Sequence, residues 1–434
     1  MRNSFLLFSI LTVSLLSFGQ FVQSTIVTTL SFVAFFILIL KSNDSFRLPI
    51  LFFFLPWSGF MKFTPLENTF FSFGLVLTVL IMIFKKEKIS IRQLFLIFIF
   101  FIYALIVKLL YEDPLNFRFF YMFVIFIFLI IIYKNEYKYI DGNKIILFFV
   151  VGTLFANFIS NYLLRFPHLH DFGKDISSQL QNTWSVYRLS GFNGDPNRNA
   201  LQILMAISAL MTIKDSYLKH AQFIIKYTFL IMLIYFGLLT VSKLFYFGLF
   251  VFMFFKIIIF LLDKNETRNR GIYIFIFPTF LIAMLFSGFF SEEFELLSQR
   301  IEMNESRNIG ITSQRYDLQF SYLKYLLDHF LVLFFGRGLF TPFSPTTNVS
   351  HNTFIQLIMG IGIFGLCMFL KIISSFKSEF KRRIPRQKIH PEVRLSILIL
   401  FISLMSLDIA NMDILYFYVL LILTTHKNKI ELKT

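Results

Sequence analysis

Residues 351–370 read HNTFIQLIMGIGIFGLCMFL, and this stretch decides how the chain is built. It is almost entirely apolar over the length that an α-helix needs to cross a bilayer. His351 and Asn352 open it directly after a long polar loop. Glycines follow about three turns deeper, at positions 360, 362 and 365. The stretch therefore predicts a membrane helix with polar residues at its mouth and a glycine face inside it.

The rest of the chain repeats this apolar pattern. Of 434 residues, 56% are apolar, with 64 phenylalanines and a mean hydropathy of +0.71, far above globular usage. Because a lipid-exposed strand could not satisfy its backbone, the apolar runs must be helices. We expect an all-α polytopic integral membrane protein with about 12–14 transmembrane helices, forming one membrane domain over residues 1–434. The runs lie at 4–22, 24–40, 48–60, 69–84, 93–111, 119–133, 145–164, 199–213, 227–241, 244–262, 271–289, 351–370, 394–409 and 412–425.

The charges indicate which side each loop occupies. If the N-terminus is cytoplasmic and every run crosses, the inner segments hold 27 Lys and Arg against 10 Asp and Glu, and the remainder holds 14 against 15. The net charge of +16 therefore lies on one side, as the positive-inside rule expects. The basic balance then reflects orientation and anionic lipid, and we expect no nucleic-acid partner. Two large loops, 166–198 and 290–350, face the outside.

Several classes of chemistry find no support in the sequence. The seven histidines are dispersed, and His168 and His170 have no thiol or carboxylate companions at ligand spacing, so we expect no metal site. The chain contains no glycine loop of the type that cradles phosphates, which argues against an ATP-driven pump. We expect no cofactor.

The two outer loops carry the candidate functional residues. The first ends in YRLSGFNGDPN at 187–197, where the glycines and the proline predict a tight turn that holds Arg188 at the bilayer surface. The second carries Arg315, then a predicted amphipathic helix that would lie in the interface or over a groove, then Arg337 between two glycines. The apolar face of that helix comprises Phe320, Leu323, Leu327, Phe330 and Leu331.

Between the two loops, the segment 240–243 joins two spans with almost no loop. Its last residue, Lys243, either extends to the outer headgroups or points into a polar cavity. The physics of the sequence leaves both possibilities open.

Taken in order, these elements resemble the O-antigen polymerase/O-antigen ligase family of bacterial membrane glycosyltransferases. The resemblance covers about residues 150–370 and rests on the Arg188 loop, Ser242-Lys243, Arg315 with Gly336-x-Gly338, and His351-Asn352 with Gly362 and Gly365. Two positions depart from the family pattern. Lys243 stands where arginine is usual, which loses the bidentate fork for phosphate, and Leu366 stands where ligases often have a small or hydroxyl residue.

The resemblance implies a metal-independent enzyme of the bacterial inner membrane that uses an undecaprenyl-diphosphate-linked glycan as donor, with its active site facing the periplasm. The partners of such an enzyme would be the lipid-linked donor and acceptor and the membrane lipids. The resemblance is also compatible with a chain-length regulator protein as a partner. His351 would be the catalytic base, at a helix N-terminus that disfavours a protonated ring. The substrate-binding residues would be Arg188, Lys243, Arg315, Arg337 and Asn352, with the cations holding the diphosphate.

Three functions agree with these features. A polymerase that joins lipid-linked repeat units is favoured, because the loop before His351 is long and Leu366 departs from the ligase pattern. A ligase that transfers glycan to lipid A-core would use the same donor. A lipid-linked oligosaccharide flippase should show two related halves and short outer loops, and this chain shows neither.

The predicted topology can be tested with reporter fusions. We expect alkaline phosphatase to be active when fused at Asp175 or Ser313 and inactive at Arg383, where β-galactosidase should be active instead, because the first two positions lie outside. Phosphatase activity at Arg383 would overturn this topology.

Overall fold

The computed structural model describes residues 4–65, 67–112, 115, 117–166, 168, 169, 172, 188–213, 219–262, 295, 298, 315–339, 345, 350–383, 391–409 and 412–431. Among these residues every regular element is helical and no strand occurs, which confirms the all-helical prediction. Two 3₁₀ turns occupy Leu55–Trp57 and Gly191–Asn193. The helices in the described residues are α1 Ser4–Phe21, α2 Thr25–Lys41, α3 Asp44–Phe54, α4 Phe70–Phe84, α5 Ile91–Leu110, α6 Phe117–Lys134, α7 Glu136–Tyr139, α8 Gly142–Leu163, α9 Pro196–Met211, α10 His220–Leu239, α11 Lys243–Leu262, α12 Arg315–Asp328, α13 Phe330–Phe335, α14 Thr353–Arg383, α15 Pro391–Ser406 and α16 Asp413–Glu431.

Six of the described helices are long and apolar enough to cross a membrane. They contain the segments Ser4–Phe21, Ile91–Leu110, Phe117–Lys134, Gly142–Leu163, His220–Leu239 and Thr353–Ser375. Large apolar side chains on the helices are exposed, such as Phe84 at 83% and Ile26 at 75%. A soluble monomer rarely exposes so much apolar surface, so these helices indicate a membrane-embedded protein.

Thirteen of the fourteen predicted runs contain a described helix, and the run at 271–289 lies outside the described residues. Two of these thirteen runs correspond to helices that are surrounded by other parts of the protein. In α3 every residue from Phe46 to Phe54 is buried, and in α9 every residue from Asn199 to Leu210 is buried. Composition alone does not distinguish a helix that is enclosed by protein from one that faces lipid, which explains why both were identified as ordinary spans.

The chain forms two compact units. The first comprises Met1–Gly152, Gln314–Ile389 and Leu404–Thr434, and the second comprises Thr153–Ser313 and His390–Ser403. The residues predicted for the site fall into both units. Arg188 and Lys243 belong to the second unit, whereas the others, Arg315, Arg337, His351 and Asn352, belong to the first.

In the first unit, the connections that follow α2, α4 and α6 lie together. The Asp44 carboxylate binds Arg47 and Lys85 at 2.8 Å each, and Glu87 binds Lys138 at 2.8 Å. Burial raises the pKa of Asp44, but its hydrogen bonds and charge interactions with Lys85 and Arg47 outweigh burial and lower the pKa overall.

A different set of connections meets elsewhere in the same unit. The Gln20 side-chain amide, at the end of α1, donates to the Lys62 carbonyl at 2.5 Å. The pKa of Lys62 is lowered by burial and by the charge of Arg118, near the start of α6. Tyr121 in turn donates to Asp413, the first residue of α16, at 3.0 Å. When successive helices run in opposite directions, the connections between them fall into two sets, one at each end of the helices. The predicted membrane crossings require this arrangement.

The predicted amphipathic segment forms two helices, α12 and α13. Their inner residues Tyr322, Leu326 and Val332 pack with Ile355 and Met359 of α14 in one apolar cluster. The apolar face expected from the sequence points the other way, and its residues are all exposed: Phe320, Leu323, Leu327, Phe330 and Leu331. The segment therefore has one apolar side against protein and another that protein leaves uncovered.

The long helix α14 is broken at Gly362, where φ is +62° and ψ is −177°. The segment after α13 packs into this break: the Arg337 amide donates to the Met359 carbonyl at 2.8 Å, and the Gly338 amide donates to the Gly360 carbonyl at 2.9 Å. Such breaks occur at membrane depth only where other groups satisfy the released backbone.

The Tyr103 hydroxyl, from α5, completes the packing around the break. Its oxygen lies 2.8 Å from the Phe335 carbonyl oxygen and 2.9 Å from the Ile361 carbonyl oxygen. A Cβ at Gly365 would lie 2.8 Å from the Tyr103 ring, so this glycine permits the close approach of α5. The glycine face predicted inside the helix therefore serves packing.

We expect Gly362→Ala to destabilise the protein strongly and Gly360→Ala to have little effect. A Cβ at position 362 would lie 2.3 Å from the Phe334 carbonyl oxygen and would require a left-handed φ, whereas at position 360 its nearest neighbour is at 3.5 Å. The backbone strain alone costs roughly 1–3 kcal/mol. Thermal unfolding in detergent measures the difference, and equal midpoints for the two variants would contradict the break at Gly362.

Candidate functional site

The turn predicted in the first outer loop is present in the second unit. A 3₁₀ turn over Gly191–Asn193 leads into Gly194, whose φ is +71°. The Asp195 carboxylate then accepts from the Asn197 amide at 2.7 Å and caps α9, which starts with Pro196. Both features are standard starts for a helix, so the local sequence explains this part of the fold.

A buried amide network fixes this turn against α8. The Asn199 side-chain amide donates to the Asn157 side-chain oxygen at 2.7 Å and to the Leu189 carbonyl at 3.3 Å. Gly191 lies so close to Asn199 that a Cβ there would be 2.8 Å from its side-chain oxygen, and its φ is +58°. Glycine is therefore required at position 191 for two independent reasons.

The same turn brings Arg188 to the connection between α10 and α11. The Arg188 Nε donates to the Thr240 carbonyl at 3.2 Å, and the next amide, of Leu189, donates to the Leu239 carbonyl at 2.9 Å. The Ser242 hydroxyl binds the Asn197 side-chain oxygen at 2.7 Å. Lys243 follows as the first residue of α11, so Arg188 and Lys243 flank one short connection, and both are half-buried. We call Arg188, Asn197, Ser242 and Lys243 the Lys243 group.

The connection at the Lys243 group is strained. Val241 is fully buried and has a φ of +45°. A β-branched residue in the left-handed region is a genuine outlier and costs on the order of 1–3 kcal/mol. Such strain persists where the surroundings fix the backbone, and it clusters at functional sites.

In the first unit, Arg315 and the start of α14 bind neighbouring carbonyls at the end of α15. Arg315 Nη1 donates to the Ser406 carbonyl at 3.1 Å, and the Thr353 hydroxyl donates to the Leu407 carbonyl at 2.6 Å. The Ile409 amide donates back to the Thr353 hydroxyl oxygen at 3.2 Å. The structure thus brings Arg315 to the helix start that carries His351. We call Arg315, His351, Asn352 and Thr353 the His351 group.

His351 was predicted in the first turn of its helix, and this position is wrong by two residues. The helix starts at Thr353, because the Asn352 side-chain oxygen accepts from the Phe354 and Ile355 amides at 3.0 and 3.2 Å and caps it. His351 precedes this cap with a φ of +50° and is half-buried.

The left-handed conformation of His351 differs from the others in the described residues. The remaining non-glycine residues with positive φ are Gln23, Lys86, Glu112 and Val241, and each of them lies two residues after the last residue of a helix. A left-handed residue at this position is a common way to end a helix, and at Val241 only the β-branched side chain makes it strained. His351 lies before a helix, where capping does not demand this conformation, and the Asn352 amide donates across it to the Ser350 hydroxyl oxygen at 3.3 Å.

Asn352 was predicted to bind substrate, and the structure gives its side-chain oxygen a capping role. Arg337 lies apart from the other predicted residues of its unit. Its amide pairs with Met359, about 9 Å along α14 from Thr353. Its guanidinium donates to the Tyr325 hydroxyl at 2.9 Å. The structure therefore holds Arg315 and the start of α14 on neighbouring carbonyls, and it holds the Arg337 backbone further along α14.

Sequence reasoning missed the aromatic surroundings of Arg337. The Arg337 guanidinium lies 5.2 Å from the centre of the Tyr111 ring, and the Tyr325 ring stacks on the His329 ring at 4.1 Å between centres. The i, i+4 spacing of Tyr325 and His329 on a predicted helix was the available signal.

Among the residues that the structure describes, no group of three or more His, Cys, Asp and Glu side chains could hold a metal ion. The chemistry available at the two groups is that of cations, amides and one imidazole. No family model, curated protein or solved structure matches this chain. The resemblance drawn from the motifs therefore stands on those residues alone.

We expect Asn352→Ala to lower the stability of the protein by about 1 kcal/mol, because the cap of α14 is lost. Asn352→Asp should retain wild-type stability, since a carboxylate oxygen caps a helix as well as a carboxamide oxygen does. Thermal unfolding of both variants in detergent measures this. If Asn352→Asp unfolds as early as Asn352→Ala, the capping role is wrong.

Proposed function

We propose that this protein is a membrane glycosyltransferase that joins undecaprenyl-diphosphate-linked oligosaccharide repeat units at the periplasmic face of the bacterial inner membrane. The observation that carries the proposal is the His351 group. A histidine in a left-handed conformation precedes a capped helix, and Arg315 is bound to the carbonyl next to the one that anchors that helix.

The proposed reaction needs one base and several cations. The acceptor hydroxyl oxygen attacks C1 of the donor sugar, and the hydroxyl proton passes to the His351 imidazole. The bond between C1 and the diphosphate oxygen breaks, and undecaprenyl diphosphate leaves with the bonding electrons. Its negative charge is the charge that arginine and lysine stabilise by charge-assisted hydrogen bonds.

The Lys243 group supplies two cations for this leaving group. Arg188 and Lys243 flank one rigid connection, fixed by the Ser242 and Asn197 contact. A lysine that extended freely to the headgroups would need no such scaffold, so its fixed surroundings favour the cavity interpretation. We propose that Arg188 and Lys243 bind the diphosphate of the lipid-linked donor.

The broken helix α14 is a feature that also fits the flippase alternative, because transporters bind substrates at interrupted helices. In this protein the carbonyls at the break accept hydrogen bonds from Tyr103, Arg337 and Gly338. A backbone that is already satisfied by protein has less to offer a substrate, which favours a packing role for the break.

We expect His351→Ala to abolish chain extension while the protein is still inserted at normal abundance. Loss of a general base typically costs 10²–10⁴ in rate. The measurement is the polysaccharide ladder of a polymerase-deficient strain that expresses the variant. His220→Ala, at an exposed histidine in α10, is the matched control and should give a normal ladder.

The same assay tests the cations. Arg188→Glu and Lys243→Glu should each shorten or remove the ladder, because reversing a charge at a desolvated diphosphate costs about 2–5 kcal/mol. Lys324→Glu, at an exposed position of α12, is the control.

A full ladder from His351→Ala at normal abundance would leave the reaction without its base and would overturn the proposed function. Glycan found on lipid A-core instead of in a longer chain would indicate a ligase.

A further inference from the structure

The surroundings of Arg337 form a second group of polar and aromatic side chains, distinct from the His351 group. Tyr325 and His329 stack with their rings 4.1 Å apart and inclined by only 20°. The Arg337 guanidinium donates to the Tyr325 hydroxyl and lies over the ring of Tyr111. All four residues belong to the first unit and come from α12 and the connections that follow α5, α12 and α13.

The hydrogen bond of His329 fixes its tautomer. The Nδ1 atom lies 2.9 Å from the Tyr325 carbonyl oxygen. A carbonyl oxygen only accepts, so Nδ1 carries a proton, and in the neutral ring Nε2 is then the acceptor. His329 is exposed, so this acceptor is open to a ligand.

The position of Tyr325 on α12 separates the ring pair from the lipid side. Leu323 and Leu327 are exposed on one side of the helix, at 46% and 62%. Tyr325 lies two residues from each, about 200° around the helix axis. An aromatic ring that anchored the helix in the headgroups would lie on the same side of the helix as Leu323 and Leu327. Tyr325 instead packs against the apolar cluster that α14 helps to form.

We propose that Tyr325, His329, Arg337 and Tyr111 form a saccharide-binding surface, and that it takes the acceptor glycan of the reaction proposed above. Sugars bind proteins through the apolar faces of their rings, which stack on aromatic side chains, and through hydroxyls that need fixed donors and acceptors. The stacked ring of His329 offers both an aromatic face and a fixed acceptor. Arg337 is a positioning residue, since it orients the Tyr325 ring through the hydroxyl.

This inference rests on the proposed function for the identity of the sugar as acceptor, but the binding itself can be measured separately. The full protein in lipid nanodiscs is treated with diethylpyrocarbonate, and modification of each histidine is followed by mass spectrometry. The probe is the free repeat-unit oligosaccharide of the host polysaccharide, released from its lipid. We expect it to slow the modification of His329 about fivefold when it is present at about four times its Kd, because the bound sugar shields the ring. His220, which is exposed in the second unit, should be modified at an unchanged rate.

Variants in the ladder assay test the role in acceptor binding. His329→Ala should shift the ladder to short chains, whereas Asp328→Ala, at the exposed neighbouring residue, should leave it normal. Tyr325→Phe keeps the ring and loses the contact with Arg337, so we expect an intermediate ladder at normal protein abundance. In membranes that contain the His329→Ala variant, extra acceptor should restore extension, because the defect is in binding.

The outcomes distinguish this inference from the proposed function. A normal ladder from His329→Ala together with no protection of His329 overturns the saccharide surface, even if His351→Ala abolishes extension. If His351→Ala leaves extension intact while the oligosaccharide still protects His329, the surface binds a sugar and the proposed reaction is wrong. Equal protection of His329 and His220 would indicate a general effect of the sugar and would also overturn the proposal.

Discussion

A backbone that leaves its helical path within a membrane needs new hydrogen-bond partners, and the break in α14 at Gly362 is where this protein meets that constraint. The Tyr103 hydroxyl and the amides of Arg337 and Gly338 donate to the carbonyls of the residues just before the break. These contacts tie α5, α13 and α14 together, and α12 packs on the same apolar cluster. The position of Arg315, the start of α14 and the ring pair of Tyr325 and His329 all depend on this assembly.

Much of this architecture could be predicted from the sequence, because a lipid environment demands long apolar helices and basic inner loops. The turn over Gly191–Asn193 was also predictable, since two glycines and a proline so close together favour a turn. The break at Gly362 was not, because a glycine in an apolar run is compatible with a straight helix. Only the approach of Gly336, whose Cβ would lie 2.5 Å from the Gly360 carbonyl oxygen, shows that the chain must bend there.

The candidate site was likewise predictable from the sequence only in part. The sequence identified His351 and Lys243 as residues at helix starts, and the structure adds the bonds that hold their surroundings. The sequence was interpreted as a helix that begins at His351, so the role of the Asn352 side chain as its cap was not predicted. The sequence also did not indicate the hydrogen bond from Arg315 to the carbonyl of Ser406, because Ser406 lies 91 residues further along the chain. Contacts between distant segments leave no mark in a single sequence.

The central claim is that this chain transfers a glycan from a lipid diphosphate to a sugar hydroxyl. Purified protein in liposomes, supplied with the undecaprenyl-diphosphate-linked repeat unit and a metal chelator, tests it most directly, with mass spectrometry of the lipid fraction as the measurement. The account predicts lipid-linked glycans of two and more repeat units, together with one undecaprenyl diphosphate released for each bond formed. A donor that remains unchanged, or that only moves between the two leaflets, would contradict it.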